Sequence, residues 1–149
     1  MERIKFDFVE NKKNPDGVRI LPYRATDGSI GYDFVSPIEV EIGVGESKLI
    51  WTDVKAKFPK KYALLIDVRS SMGNHRVMLA NTIGVIDSDY YSNESTEGNI
   101  GINLYNYGQS PFKIKAGDRI AQGIFVKCAV GNDKPKNKRI GGFGSTNTK

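Results

Sequence analysis

Residues 81–90, Asn-Thr-Ile-Gly-Val-Ile-Asp-Ser-Asp-Tyr, and residues 98–106, Gly-Asn-Ile-Gly-Ile-Asn-Leu-Tyr-Asn, frame the stretch whose reading decides the fold. Both are rich in Ile and Val and alternate or run apolar, whereas residues 91–97 between them are almost wholly polar. The pattern predicts two strands joined by a loop, a β-hairpin carrying two acids at its turn. Glycines inside strands often mark the close approach of a ligand, so Gly84 and Gly101 are expected where a flat ligand lies between the arms. Asp87 and Asp89, two apart in an extended chain, point to opposite faces. One should face the ligand while the other holds the turn, without sharing a task.

Working outward, little of the chain shows 3.6-residue periodicity, and short Val/Ile/Phe-rich runs recur between Gly, Pro, Asn and Asp. This argues an all-β sandwich or barrel with no need of a long helix. Residues 4–9 alternate as an opening strand, and 11–17 form a charged, turn-rich loop. Residues 38–42 and 47–51 flank Gly-Val-Gly-Glu as a second expected hairpin, with Trp51 a core or interface aromatic. Residues 62–66 read as a buried strand, 110–117 as a turn, and 118–125 as the opening of the last long strand, with Asp118 and Arg119 able to pair at its start.

A chain of 149 residues, 39% hydrophobic, is one domain's worth and long enough for a proper core. Residues 1–130 are expected to form it, with 131–149 as a tail. Its single cysteine, Cys128, precludes an internal disulfide, suits a reducing compartment and reads as a small buried hydrophobe. No segment approaches membrane length or looks like a leader, so a cytoplasmic location is expected. A net charge of +5 suits a polyanionic partner, a triphosphate as well as a nucleic acid.

With one histidine, His75, a Ser-His-Asp triad or a histidine metal cluster has no second imidazole to draw on. General base work therefore falls to a carboxylate, and His75 is expected in a loop or on the surface. Arg69 can contact phosphate oxygens in bidentate fashion, and Ser70 and Ser71 add hydroxyl and backbone donors. Gln122 sits in an otherwise apolar run and needs a polar partner. Residues 131–139 offer no apolar anchor, and Gly-Gly-Phe-Gly-Ser-Thr follows, so the tail is expected to be mobile until a ligand orders it. There the glycines, Gly144 included, let backbone N–H groups converge on an anion, Ser145 and Thr146 add hydroxyls, and Phe143 offers a ring to stack on a base.

Residues 81–90 resemble the third motif of the trimeric dUTP diphosphatases, or dUTPases, and the other four motifs follow in the family's order over residues 22–146. Leu-Pro-Tyr-Arg-Ala-Thr-Asp-Gly-Ser-Ile-Gly-Tyr-Asp-Phe is similar to the first motif, Asp-Val-Arg-Ser-Ser-Met-Gly to the second, residues 117–125 to the fourth and Gly-Gly-Phe-Gly-Ser-Thr to the fifth. Departures are Ile30 for the usual Ala, Val68 for Pro, Lys138 with Arg139 beside it for a single Arg, and Asn147 for Gly. Residues 91–97 stand where the common form has one residue, as in virus- or bacterial-type members with an extended third motif.

The resemblance implies a jelly-roll-like fold and Mg²⁺-dependent hydrolysis of dUTP to dUMP and pyrophosphate, which limits uracil in DNA and supplies dUMP for thymidylate synthesis. Asp87 would be the general base. Asp33 would touch the water shell of the metal ion, Arg69 and Ser70 would hold phosphates, Gln122 would lie near the α-phosphate, and Arg139 is favoured over Lys138 for the γ-phosphate. Asn81, with backbone near Gly84 and Gly101, would read uracil, and Tyr90 would leave no space for a 2′-hydroxyl. The family assembles each site from three subunits, the hairpin from one, motifs one, two and four from a second, and the tail from a third, which implies a homotrimer.

A related activity, dCTP deamination, needs a glutamate where Asp87 stands. A regulatory protein-binding module could use the nucleotide site as a switch, with residues 91–97 as a water-exposed contact surface. Direct nucleic-acid binding is not expected, since the Lys-rich stretch lacks interleaved aromatics.

Overall fold

A computed structural model describes residues 3–144. Eleven strands follow in order: β1 (Lys5–Phe8), β2 (Tyr32–Val35), β3 (Val40–Ile42), β4 (Ser47–Trp51), β5 (Val54–Lys57), β6 (Tyr62–Asp67), β7 (Val77–Leu79), β8 (Gly84–Ile86), β9 (Gly101–Asn106), β10 (Phe112–Ile114) and β11 (Arg119–Lys127). One short helix, α1 (Ser70–Asn74), and a 3-10 turn at Ser88–Tyr90 are the helical elements among the described residues. No described helix is long and apolar enough to cross a membrane.

The strands form a four-stranded sheet, β2-β11-β6-β8, a three-stranded sheet, β4-β9-β7, and two ribbons, β1-β5 and β10-β3, with every pairing antiparallel. A single core draws on all of them, including Phe34, Leu64, Ile66 and Ala121 from the larger sheet and Ile50, Leu79, Ile102 and Leu104 from the smaller. In β9 the inward residues Ile102, Leu104 and Asn106 are buried and those between them only half-buried, the period of two that a one-sided strand requires. This is the all-β, jelly-roll sandwich expected.

Two pairings depart from the sequence reading for one reason. The expected hairpin arms of residues 81–106 are β8 and β9, but β8 pairs with β6 and β9 with β4 and β7. Likewise β3 pairs with β10 and β4 with β9. In a two-layer fold, consecutive strands can cross between layers, each completing a different sheet, and periodicity is the same either way. The expected turn at 110–117 contains β10. Asp118 and Arg119 do not pair with each other: Asp118 Oδ2 accepts from the Lys115 N–H at 2.8 Å, and Arg119 Nη1 lies 3.5 Å from Asp33. Cys128 lies just past β11 and is exposed, not buried. His75 caps α1 on the surface, against the Phe112 ring.

Candidate active site

Because β8 and β9 belong to different sheets, they diverge and leave a cavity of about 240 Å³ between them. Its walls are Ile66, Leu79, Val85, Ile86 and Ile102, with Asn81, Gly84 and Gly101 along it and Asp87 and Tyr90 at one end. The apolar walls and polar end suit a planar, partly polar ring. Gly101 has a second reason for lacking a side chain: a Cβ there would come within 2.9 Å of Leu49 and 3.2 Å of the Trp51 ring. Packing across β4–β9 already demands glycine at this position.

Tyr90 is buried, and its hydroxyl donates to the Asn99 carbonyl at 2.6 Å. Burial pushes its phenol up, against opposing influences from Thr96 and Arg139, so the ring is held as a neutral donor. Asp87 is extended, and the 3-10 turn begins at the next residue. The backbone therefore leaves strand geometry before Asp89, and the alternation that would separate the two acids does not apply. Both acids meet one guanidinium: Arg139 Nη2 donates to Asp87 and Nε to Asp89, each at 2.6 Å. They share a partner, contrary to the sequence expectation. Lys138 points outward, 3.7 Å from Glu94 and largely exposed.

Part of the tail makes contacts that its composition does not announce. Residues 139–144 lie on the cavity of their own chain: Arg139, Gly142 and Phe143 line it, and the Phe143 ring meets Trp51 edge-on at 5.7 Å. Gly142 passes so close to Tyr90 that a Cβ would fall 2.7 Å from the ring. The anchors the tail lacks within itself are supplied by the acids and aromatics of the cavity. Gly144 is exposed, and Ser145 and Thr146 lie outside the described residues.

The remaining candidate residues gather elsewhere. Asp33, Arg69, Ser70, Ser71 and Gln122 line a second, open pocket with Ala25 and residues 28–31. Gln122 is opposite Asp33 in the β11–β2 register, which answers its need for polar surroundings. Asp33 is buried, with Arg69 Nε at 3.1 Å from one oxygen and Arg119 Nη1 at 3.5 Å from the other. Among the described residues, no three His, Cys, Asp or Glu side chains gather as metal ligands. With both Asp33 oxygens facing arginines, direct ligation of a cation is not what the carboxylate is arranged for; contact through the water shell that Mg²⁺ commonly keeps beside phosphates is the role left to it. No residue lines both pockets.

The sequence reading missed a supporting network. Asp53, buried and at φ 59°, accepts from the Lys13 and Asn14 N–H groups and from the Asn14 and Asn99 side chains. It ties loop 11–17 to the segment that receives the Tyr90 hydroxyl. Residues 91–97, expected in water, are in fact bonded on several sides. Tyr91 Oη donates to Asp7 at 2.8 Å, Glu97 accepts from the Glu10 and Asn11 N–H groups and from Lys55 Nζ, and the buried Asn93 donates to the Tyr90 carbonyl. Polarity alone cannot distinguish a solvated loop from one whose polar groups are satisfied by protein.

An apolar slot ending in a carboxylate, together with an arginine- and serine-lined pocket on the same sandwich, is the make-up of a nucleotide-binding β-fold. The chain belongs to the dUTPase family, whose model matches residues 19–147. It is 37% identical over 145 residues, covering 95% of each chain, to the deoxyuridine 5'-triphosphate nucleotidohydrolase of Lactococcus lactis. The dUTPase of Streptococcus mutans superposes with a TM-score of 0.76 at 31% identity, over 86% of this chain and 98% of that one. A variant of the dUTPase from phage phi11 of S. aureus, described as coordinating a structural Mg(II) ion, shares the fold with a TM-score of 0.70 at 21% identity, over 92% and 98%.

Proposed function

We propose that the protein is a dUTP diphosphatase: it hydrolyses dUTP to dUMP and pyrophosphate, with Asp87 as general base toward the water that attacks the α-phosphorus. The observation that carries this is the pairing of an apolar, glycine-edged slot ending in Asp87 and Tyr90 with a separate pocket holding Arg69, Ser70, Ser71 and Gln122, in a chain of the dUTPase family.

Uracil lies in the slot. Backbone groups near Gly84 and Gly101, with the Asn81 amide, meet O4 and N3–H; cytosine presents the opposite pattern and leaves buried groups unpaired. Tyr90, fixed by its bond to Asn99, lies against the sugar and leaves no room for a 2′-hydroxyl. Asp87 holds the attacking water within hydrogen-bond reach, a contribution of about 10²–10⁴-fold. Arg69, Ser70, Ser71 and Gln122 offset charge as it redistributes over the phosphoryl oxygens, the dominant effect in this chemistry. Arg139 exchanges its carboxylate partners for the γ-phosphate, Phe143 closes over the ring, and Gly144, Ser145 and Thr146 add donors. Asp33 would hold Mg²⁺ through water, and the ion would supply charge neutralisation to the triphosphate.

Each site is completed by the phosphate pocket of another copy, within a homotrimer acting in the cytoplasm; the separation of the two pockets, which share no lining residue, supports this reading. The test is release of pyrophosphate from dUTP, UTP, dCTP and dTTP with Mg²⁺. Turnover of dUTP alone is expected; equal turnover of UTP would remove Tyr90 from the specificity assignment, and no turnover of dUTP would overturn the reading.

A further inference from the structure

The corner between β4 and β5 fixes one peptide unit on which the Tyr90 wall of the cavity depends. The peptide joining Asn99 to Ile100 is held at both of its polar ends: its carbonyl accepts from the Tyr90 hydroxyl at 2.6 Å, and its N–H donates to the Val54 carbonyl at 2.9 Å. The Ile100 carbonyl accepts from the Thr52 N–H at 3.0 Å and from the Thr52 hydroxyl at 2.7 Å. Asp53 completes the set with a reciprocal pair: its N–H donates to Asn99 Oδ1 and its carboxylate accepts from Asn99 Nδ2, both at 2.9 Å.

A buried carboxylate needs strong partners to offset its lost hydration. Asp53, 2% exposed, has them in the Lys13 and Asn14 N–H groups and the Asn14 and Asn99 side-chain amides. Its φ of 59° lies in the left-handed region, which glycine enters freely and a residue with a Cβ enters at a cost. The turn alone would therefore be served by glycine. A strained backbone carrying a buried charge persists where its surroundings require the side chain, and this side chain holds Asn99.

We propose that Asp53, acting through Asn99, is a positioning residue for Tyr90 and so sets the discrimination between deoxyribose and ribose. This rests on the reading above that Tyr90 lies against the sugar and excludes the 2′-hydroxyl. Steric exclusion works only while the excluding ring cannot retreat. The backbone end of Tyr90 is held by its own turn, N–H to the Asp87 carbonyl at 3.1 Å, and the hydroxyl end by the Asn99 carbonyl. Neither Asp53 nor Asn99 is among the described residues that line the cavity, so both act through Tyr90 and touch no reacting atom.

Asp53→Gly removes the carboxylate and suits the left-handed backbone. The N–H groups it frees lie in a loop whose residues 11–13 are exposed, where water can replace the carboxylate, so the fold is expected to survive. kcat and KM are measured for dUTP and UTP beside the melting temperature. The ratio of kcat/KM for dUTP to that for UTP is expected to fall about tenfold, the effect of losing one constraint bonded to a charge. A lower KM for UTP carries the change, while kcat for dUTP is retained. Where UTP turnover is too slow to follow, the affinities of non-hydrolysable dUTP and UTP analogues give the same ratio. An unchanged ratio in the folded variant would overturn the proposal, since a general loosening lowers both substrates alike.

Asn99→Ala serves if Asp53→Gly does not fold. It removes both side-chain bonds to Asp53 but leaves the carbonyl that Tyr90 uses, and the same fall in the ratio is expected. Tyr90→Phe then closes a double-mutant cycle. With the hydroxyl gone, either substitution should change the ratio no further; additive effects would refute action through Tyr90. A wild type that turns over UTP as well as dUTP overturns the Tyr90 assignment and this proposal together. A selective wild type whose ratio survives the substitutions overturns this proposal alone.

Discussion

Arg139 bridges Asp87 and Asp89, with Nη2 and Nε each 2.6 Å from a carboxylate oxygen, at the mouth of the cavity between β8 and β9. Two anions converging on one planar fork mean that the tail carries a group already matched to paired oxyanions. Before a triphosphate enters, the acids of the same chain occupy that group.

The fork, and not merely the charge, is what spans the two acids. Arg139→Lys keeps the charge but cannot reach both carboxylates from one rigid plane. A fall in kcat/KM for dUTP of about 10- to 100-fold is expected, corresponding to the loss of one or two charge-assisted hydrogen bonds. Steady-state kinetics, with limited proteolysis of the exposed linker 129–138, check this; unchanged kinetics would mean that Lys138 can serve instead.

Asp87→Asn keeps the shape of the site but removes the base. Turnover should drop about 10²–10⁴-fold while a non-hydrolysable dUTP analogue still binds. The analogue's affinity and a single-turnover rate measured on the same preparation separate the two effects. A variant that kept most of its rate would show that another group positions the water.

Glu97 anchors the inserted loop through two backbone N–H groups and Lys55. Burial raises its pKa, but the Asn11 and Glu10 N–H bonds and Lys55 outweigh that and hold it below the ordinary value of 4.5. Asp7 is likewise held below 3.8, chiefly by the Tyr91 hydroxyl. Carboxylates with depressed folded values stabilise the fold above their unfolded pKa, and this is lost as pH falls through the folded value. Glu97→Ala should therefore cost about 2 kcal/mol at pH 7. The deficit should shrink toward zero below about pH 4, as read from melting temperatures at pH 7 and pH 3. A deficit independent of pH would show that the side chain acts by packing alone.

Gly101→Ala tests which demand rules that glycine. If the contacts with Leu49 and Trp51 dominate, the added methyl overpacks β4–β9 and costs about 1–3 kcal/mol of stability. KM for dUTP should then change less than the melting temperature implies. The opposite pattern, an intact melting temperature with a raised KM, would return the position to the ligand.

Several features were legible from residues alone. The alternation in residues 101–106 marks β9 because a strand with one buried face must repeat every two residues, and the lone His75 leaves catalysis to carboxylates. Gln122 stands out as a polar group in an apolar run that calls for a partner, and Arg69, Ser70 and Ser71 as a cluster of donors. Which strands pair was not legible, because an apolar alternation satisfies any neighbour that covers its face; β8 went to β6 and β9 to β4 and β7 once the two layers closed on one core. The roles of Asp53 and Trp51 belong to tertiary structure for the same reason. Each acts on residues far along the chain, on Asn14 and Asn99 and on Phe143, and a sequence records that a residue can donate, accept or pack but not what folding brings within reach of it.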